Sequence, residues 1–135
     1  MAMITSSEYG IVAVNNTVLC KIIIDDMLSM NADLVPCNKK GRVLKKSFFT
    51  GYNELYNAVE LSDTPDGIKI KVYFILQTEN KYEETSNKLF DKIEKDFAEM
   101  YLDEPVRLTA NIKGFYRDKS VEQRDIEMIR RNGRG

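Results

Sequence analysis

Thr64-Pro65-Asp66-Gly67-Ile68-Lys69-Ile70-Lys71-Val72-Tyr73-Phe74-Ile75-Leu76 is the stretch on which the fold turns. Proline presets φ and glycine accepts positive φ, so Thr64 to Gly67 reads as a tight turn. Beyond it Ile68, Ile70 and Val72 alternate with Lys69 and Lys71, the period of a strand with one apolar and one basic face. From Val72 onward both faces are apolar. That pattern fits a central strand covered on both sides, or an outer face that meets a partner. Leu55, Val59 and Leu61 mark the other arm of the hairpin.

After this hairpin comes the clearest helix. Asn80 to Glu83 has the N-x-x-E form of a capping box, with Asn in place of Ser or Thr. Tyr82, Leu89, Phe90, Ile93, Phe97, Met100 and Tyr101 then define an apolar face, and Pro105 stops the helix. A last strand follows, Val106 to Phe115. Val106, Leu108, Ala110 and Ile112 alternate with Arg107, Thr109, Asn111 and Lys113.

Before the hairpin, Tyr9 to Val14 is a short β-type run. Asn15 or Asn16 then offers an N-cap for a helix from Thr17 to Met30, with Val18, Leu19, Ile22, Ile23, Met27 and Met30 on one face. Residues 31–41 read as a polar loop, and 42–50 as a short strand or an irregular connection. Arg117 to Gly135 is highly charged and reads as a frayed tail or a weak amphipathic helix on Val121, Ile126, Met128 and Ile129. The expectation is one α+β domain over residues 1–116 with a charged tail over 117–135. Its architecture is a two-layer sandwich in βαββαβ order: a mixed or antiparallel sheet with both helices on one face.

Composition narrows the function classes. The chain has 135 residues, a net charge of −1, two cysteines and no histidine. Near-neutral charge gives no global pull toward nucleic acid or anionic lipid. Without imidazole there is no His-based triad and no His metal ligand. Cys20 and Cys37 cannot alone make a four-ligand zinc site. Cys20 reads as a buried thiol and Cys37 as an exposed one. Without a signal-peptide pattern at Met1 to Tyr9, both read as cytosolic thiols. The longest apolar run, around Ile22 to Ile24, is too short to span a bilayer.

Candidate chemistry is sparse. The pairs Asp25-Asp26, Glu83-Glu84 and Asp103-Glu104 are adjacent in sequence, whereas acid–base catalysis needs carboxylates converging on a cleft. They read as solvated surface. Lys113-Gly114-Phe115-Tyr116 superficially matches an RNA-recognition strand, but on the fourth strand instead of the third, and Tyr73 and Phe74 on the third face opposite ways. Lys39-Lys40-Gly41-Arg42 and Lys45-Lys46 lack the glycine and Ser/Thr spacing of a phosphate loop. Arg130, Arg131 and Arg134 read as a solvated basic end able to touch phosphate, an anionic membrane or an acidic partner. Cys37 beside Lys39 and Lys40 is the one candidate nucleophile.

The stretch from Ile68 to Tyr116 resembles the alkaline shock protein family of Gram-positive bacteria. The likeness lies in Ile70 to Leu76, the helix Leu89 to Tyr101 and the closing strand Val106 to Phe115, which ends hydrophobic-Gly-hydrophobic. Gly10-Ile11-Val12-Ala13-Val14 is similar to the family's opening, while Asn31 to Lys46 replaces its short glycine-rich link. The resemblance implies a non-enzymatic cytoplasmic protein tied to cell-envelope homeostasis and stress. Such a protein would act through self-association or a membrane-anchored protein partner, with no cofactor and no catalytic residue. The interaction surface expected on this reading comprises Tyr73, Ile75, Lys113, Phe115, Arg130 and Arg131. A small RNA- or nucleotide-binding α+β module is the alternative, and an enzyme using carboxylates or Cys37 stands third.

Overall fold

The computed structural model describes residues 3–7, 10–46 and 51–132, with side chains from 15 onward within those ranges. Tyr9 and Arg134, and residues 47–50 of the uncertain connection, lie outside them. Two α-helices and a mixed five-stranded sheet make an α+β fold. The chain opens with a two-stranded antiparallel hairpin, β1 (Met3–Ser7) and β2 (Gly10–Val14), which forms a sheet of its own. Helix α1 (Asn16–Ser29) starts at Asn15, whose side-chain oxygen accepts from the Val18 amide at 2.9 Å. This is the capping geometry the sequence predicts.

The main sheet is built around β5 (Gly67–Leu76). The short β3 (Leu34–Pro36) and β4 (Val59–Thr64) lie end to end along one edge of it, both antiparallel. A 3-10 turn, Leu55–Ala58, leads into β4. Thr64 pairs with Gly67, so Pro65 and Asp66 form the expected tight turn. Helix α2 (Tyr82–Glu99) then carries the chain over to β6 (Arg107–Arg117), which lies parallel to β5. A two-residue loop at Asp118, in the left-handed region at φ 59°, reverses the chain into β7 (Ser120–Arg131).

β7 corrects the sequence reading. The expected tail or helix over 117–135 is a twelve-residue antiparallel strand paired with β6 along its length. The observed order is therefore β1, β2, α1, β3, β4, β5, α2, β6, β7 in place of βαββαβ. The Asn80 capping box is also absent. Asn80 adopts φ 76°, and α2 begins after Lys81 with no side-chain cap.

The principal core joins Leu19, Ile23, Ile24 and Met27 of α1 and Leu89, Phe90, Ile93 and Phe97 of α2 to one face of the sheet. That face is made by Ile68, Ile70, Val72, Phe74 and Leu76 of β5 with Leu108, Ala110 and Ile112 of β6. Four expected members of the helix faces do not join it: Val18, Tyr82 and Tyr101 are exposed and Ile22 is half-exposed. On the opposite face Cys37, Tyr73 and Ile75 form a small second cluster, backed by Val43, Tyr116 and Val121. No helix residue joins it.

Candidate interaction face

Strand alternation sends Lys69, Lys71, Tyr73 and Ile75 to the face of β5 turned away from the helices. The register then decides their neighbours. Lys69 lies opposite Arg107 on β6, and Arg107 opposite Arg131 on β7. Ser62 on β4 completes this row. Three cations thus stand side by side on adjacent strands, about 5 Å apart. The next row runs Glu60, Lys71, Thr109, Ile129, and the third Tyr73, Asn111, Glu127.

The far end of this face is roofed by a turn. The Asn38 side chain accepts from the amides of Lys40 and Arg42 at 2.9 and 3.0 Å. Gly41 adopts φ 85° and abuts Lys113, and Cys37 bridges to Val43. This roof buries Cys37, Tyr73 and Ile75. It answers the doubly apolar pattern of β5: its outer apolar residues are covered by the protein's own chain. Burial pushes the Cys37 thiol up to about 12, with Lys113 acting weakly the other way. Burial and then the neighbouring Glu60 carboxylate push Tyr73 up to about 12.

Below the roof a shallow cleft of about 420 Å³ is lined by Lys39, Lys71, Tyr73, Asn111, Lys113, Asp125 and Glu127. Two smaller hollows adjoin it. One of about 110 Å³ shares Lys71 with the cleft and includes Glu60, Ser62, Lys69, Arg107 and Thr109. The other, about 90 Å³, is lined by Asp66, Lys69, Val106, Arg107 and Arg131. From Arg107 to Lys113 this trough runs about 20 Å along the strands. Lys113 is paired with Asp125 at 3.2 Å. Among the described residues, no carboxylate lies within 4.0 Å of Lys69, Lys71, Arg107 or Arg131.

The six residues expected to form a surface divide sharply. Lys113 and Arg131 lie on the open face. Tyr73, Ile75 and Phe115 are buried, which corrects their assignment to a surface. Arg130 points the other way, onto α2. Its Nη1 donates to Asp91 at 2.7 Å and Glu94 at 2.9 Å, and its guanidinium lies 5.4 Å from the Phe90 ring centre. Arg130 is a structural residue. In the RNA-like Lys113-Gly114-Phe115-Tyr116, Phe115 is covered by Arg117 and Arg124, and Tyr116 packs half-buried against the second cluster.

The acidic pairs do not converge. Asp25 accepts from the Tyr52 hydroxyl at 2.7 Å, whereas Asp26 turns inward to Asp96 of α2. Cys37, expected to be exposed, is fully buried; Cys20, expected to be buried, is half-exposed, and the two form no disulfide. Among the described residues no group of His, Cys, Asp or Glu could hold a metal ion, and no helix is long and apolar enough to cross a membrane. Sequence reasoning missed Lys69, Lys71 and Arg107 as a site. Their alternation is visible in the sequence, but the pairing that lines them up is not. No family model, curated protein or solved structure matches the chain.

Proposed function

We propose that this chain is a non-enzymatic binding protein whose working surface is the sheet face opposite α1 and α2. The reading treats the main fold as two layers, with both helices covering one side and the other side left for a partner. One observation carries it: Lys69, Arg107 and Arg131 stand in a row across three strands, and among the described residues no carboxylate lies within salt-bridge distance of them. Like charges directly opposite one another destabilise a sheet, so a fold that keeps them has a use for them elsewhere. Burial of Cys37 and the dispersal of the acidic pairs weigh against the enzyme reading.

The partner on this reading is a protein, either membrane-anchored or a second copy. The resemblance to the alkaline shock protein family suggests a role in cell-envelope homeostasis and a cytoplasmic setting. A photo-crosslinking residue placed at Ile129 on the open face, and separately at Lys95 on α2, tests the surface. Ile129 is exposed and Lys95 is on the solvent side of its helix. Defined adducts in cells from position 129 but not 95 are expected. Adducts from 95 alone, or from neither, would overturn the reading.

A further inference from the structure

We infer that the row Ser62–Lys69–Arg107–Arg131 is the docking site for an acidic segment of the protein partner. This rests on the open-face reading above and names the chemistry of what that face takes. Charge complementarity is the first argument. Three adjacent cations raise a local positive potential on a chain whose net charge is −1, and among the described residues Asp66 and Glu60 are the carboxylates lining the hollows around them. Carboxylates from an extended segment suit Arg107 in particular, because its planar fork donates two parallel hydrogen bonds to one carboxylate.

The distribution of charge along the face selects the class of partner. Arg107 and Arg131 sit together at one end, beside Lys69. Exposed Ile129 follows in the next row, and Glu127 and Asp125 stand at the other end beside Lys113 and Lys39. A uniformly anionic strand laid along this trough would gain most at the Arg107 end and less at the other, where Asp125 and Glu127 stand among Lys39, Lys71 and Lys113. Among the described residues it would also find no exposed aromatic ring for its bases on this face, where Ile129 is the one large exposed apolar side chain. A polypeptide with an acidic block, an apolar residue and then a basic residue matches the succession in order. Mixed charge with an apolar centre is the ordinary make-up of a protein contact.

The test uses the full chain and a fluorescent synthetic peptide carrying a glutamate block followed by leucine and lysine. Binding is read by anisotropy, with backbone amide NMR shifts locating it. The expected result is salt-sensitive binding that perturbs the amides of residues 69, 107 and 131. Arg107→Glu should weaken it at least tenfold, and so should Arg131→Glu, whose exposed position at the end of β7 leaves folding intact. Lys95→Glu on α2 should leave it unchanged. Equal binding by the wild type and both face variants would overturn the inference. So would tighter binding of a matched oligouridylate with the same dependence on Arg107 and Arg131. If adducts at position 129 persist in the Arg131→Glu chain, the face is a binding surface but its partner is not acidic. If no adduct forms at 129 in the wild type, the broader reading fails first.

Discussion

Asp26 on α1 faces Asp96 on α2 at the contact between the two helices, and each carboxylate buries an oxygen that finds no hydrogen-bond partner among the described residues. Burial first, and then the adjacent Asp96 carboxylate, push the Asp26 carboxyl up to about 8; Lys92 opposes this only partly. The folded chain therefore holds a proton that the unfolded chain releases near its ordinary value of 3.8. Stability from this pair is fully present below about pH 4 and is lost progressively as pH climbs toward 8. Thermal melts between those values should show a falling midpoint, and Asp26→Asn should flatten that fall. A wild-type profile as flat as the variant's would mean that no proton is shared.

Phe97 sits fully buried at the centre of the apolar face of α2. Phe97→Ala should cost about 3–5 kcal/mol, measured by urea denaturation, through lost burial and the cavity left behind. A negligible shift would place the ring outside the core.

Arg130 ties β7 to α2 through Asp91, Glu94 and the Phe90 ring. Its partners are partly solvated, so Arg130→Ala should cost only about 1–2 kcal/mol. Arg130→Lys should recover less than half of that loss, because an ammonium cannot reproduce the planar fork and the stacked face. Paired chemical denaturation of the two variants checks both statements.

Gly114 lies at the irregularity in the β6–β7 register, where a Cβ would collide with the Glu122 carbonyl and crowd the Val121 side chain. Gly114→Ala should therefore destabilise by about 1–3 kcal/mol, the range seen for overpacked sites. Amide NMR should show the disturbance concentrated at Val121 and Glu122. Changes spread evenly over the sheet would indicate another cause.

Cys37 should resist alkylation in the native protein at mildly alkaline pH, since burial both raises its pKa and blocks access. Mass spectrometry after a timed pulse of iodoacetamide should find it modified only once denaturant is added. Rapid native labelling would reopen its candidacy as a nucleophile.

Turn chemistry at Pro65 to Gly67 and the helical spacing of Leu89, Phe90, Ile93 and Phe97 are local signals, and the hairpin and α2 follow them closely. Tyr101 misleads because it stands just past the helix end at φ 58°, where the 3.6-residue period no longer applies. β7 is hidden for a different reason. Ile126 and Met128 pack inward as a strand should, but Arg130 shares their face to reach α2, and apolar Ile129 stands among the solvated residues. Alternation is broken on both sides of an edge strand, so composition dominates the impression. The cation row is non-local by nature. It needs the parallel register of β5 with β6 and the antiparallel register of β6 with β7, and neither is written in any one segment.

β3 and β4 meet the same flank of β5, the first against Phe74 to Leu76 and the second against Gly67 to Val72. Both anchors of the intervening chain are therefore clamped to a single rod, a fixed distance apart. Lengthening that excursion adds only a slowly growing closure entropy. The gap that this excursion must close is thus set by β5 and not by its own length.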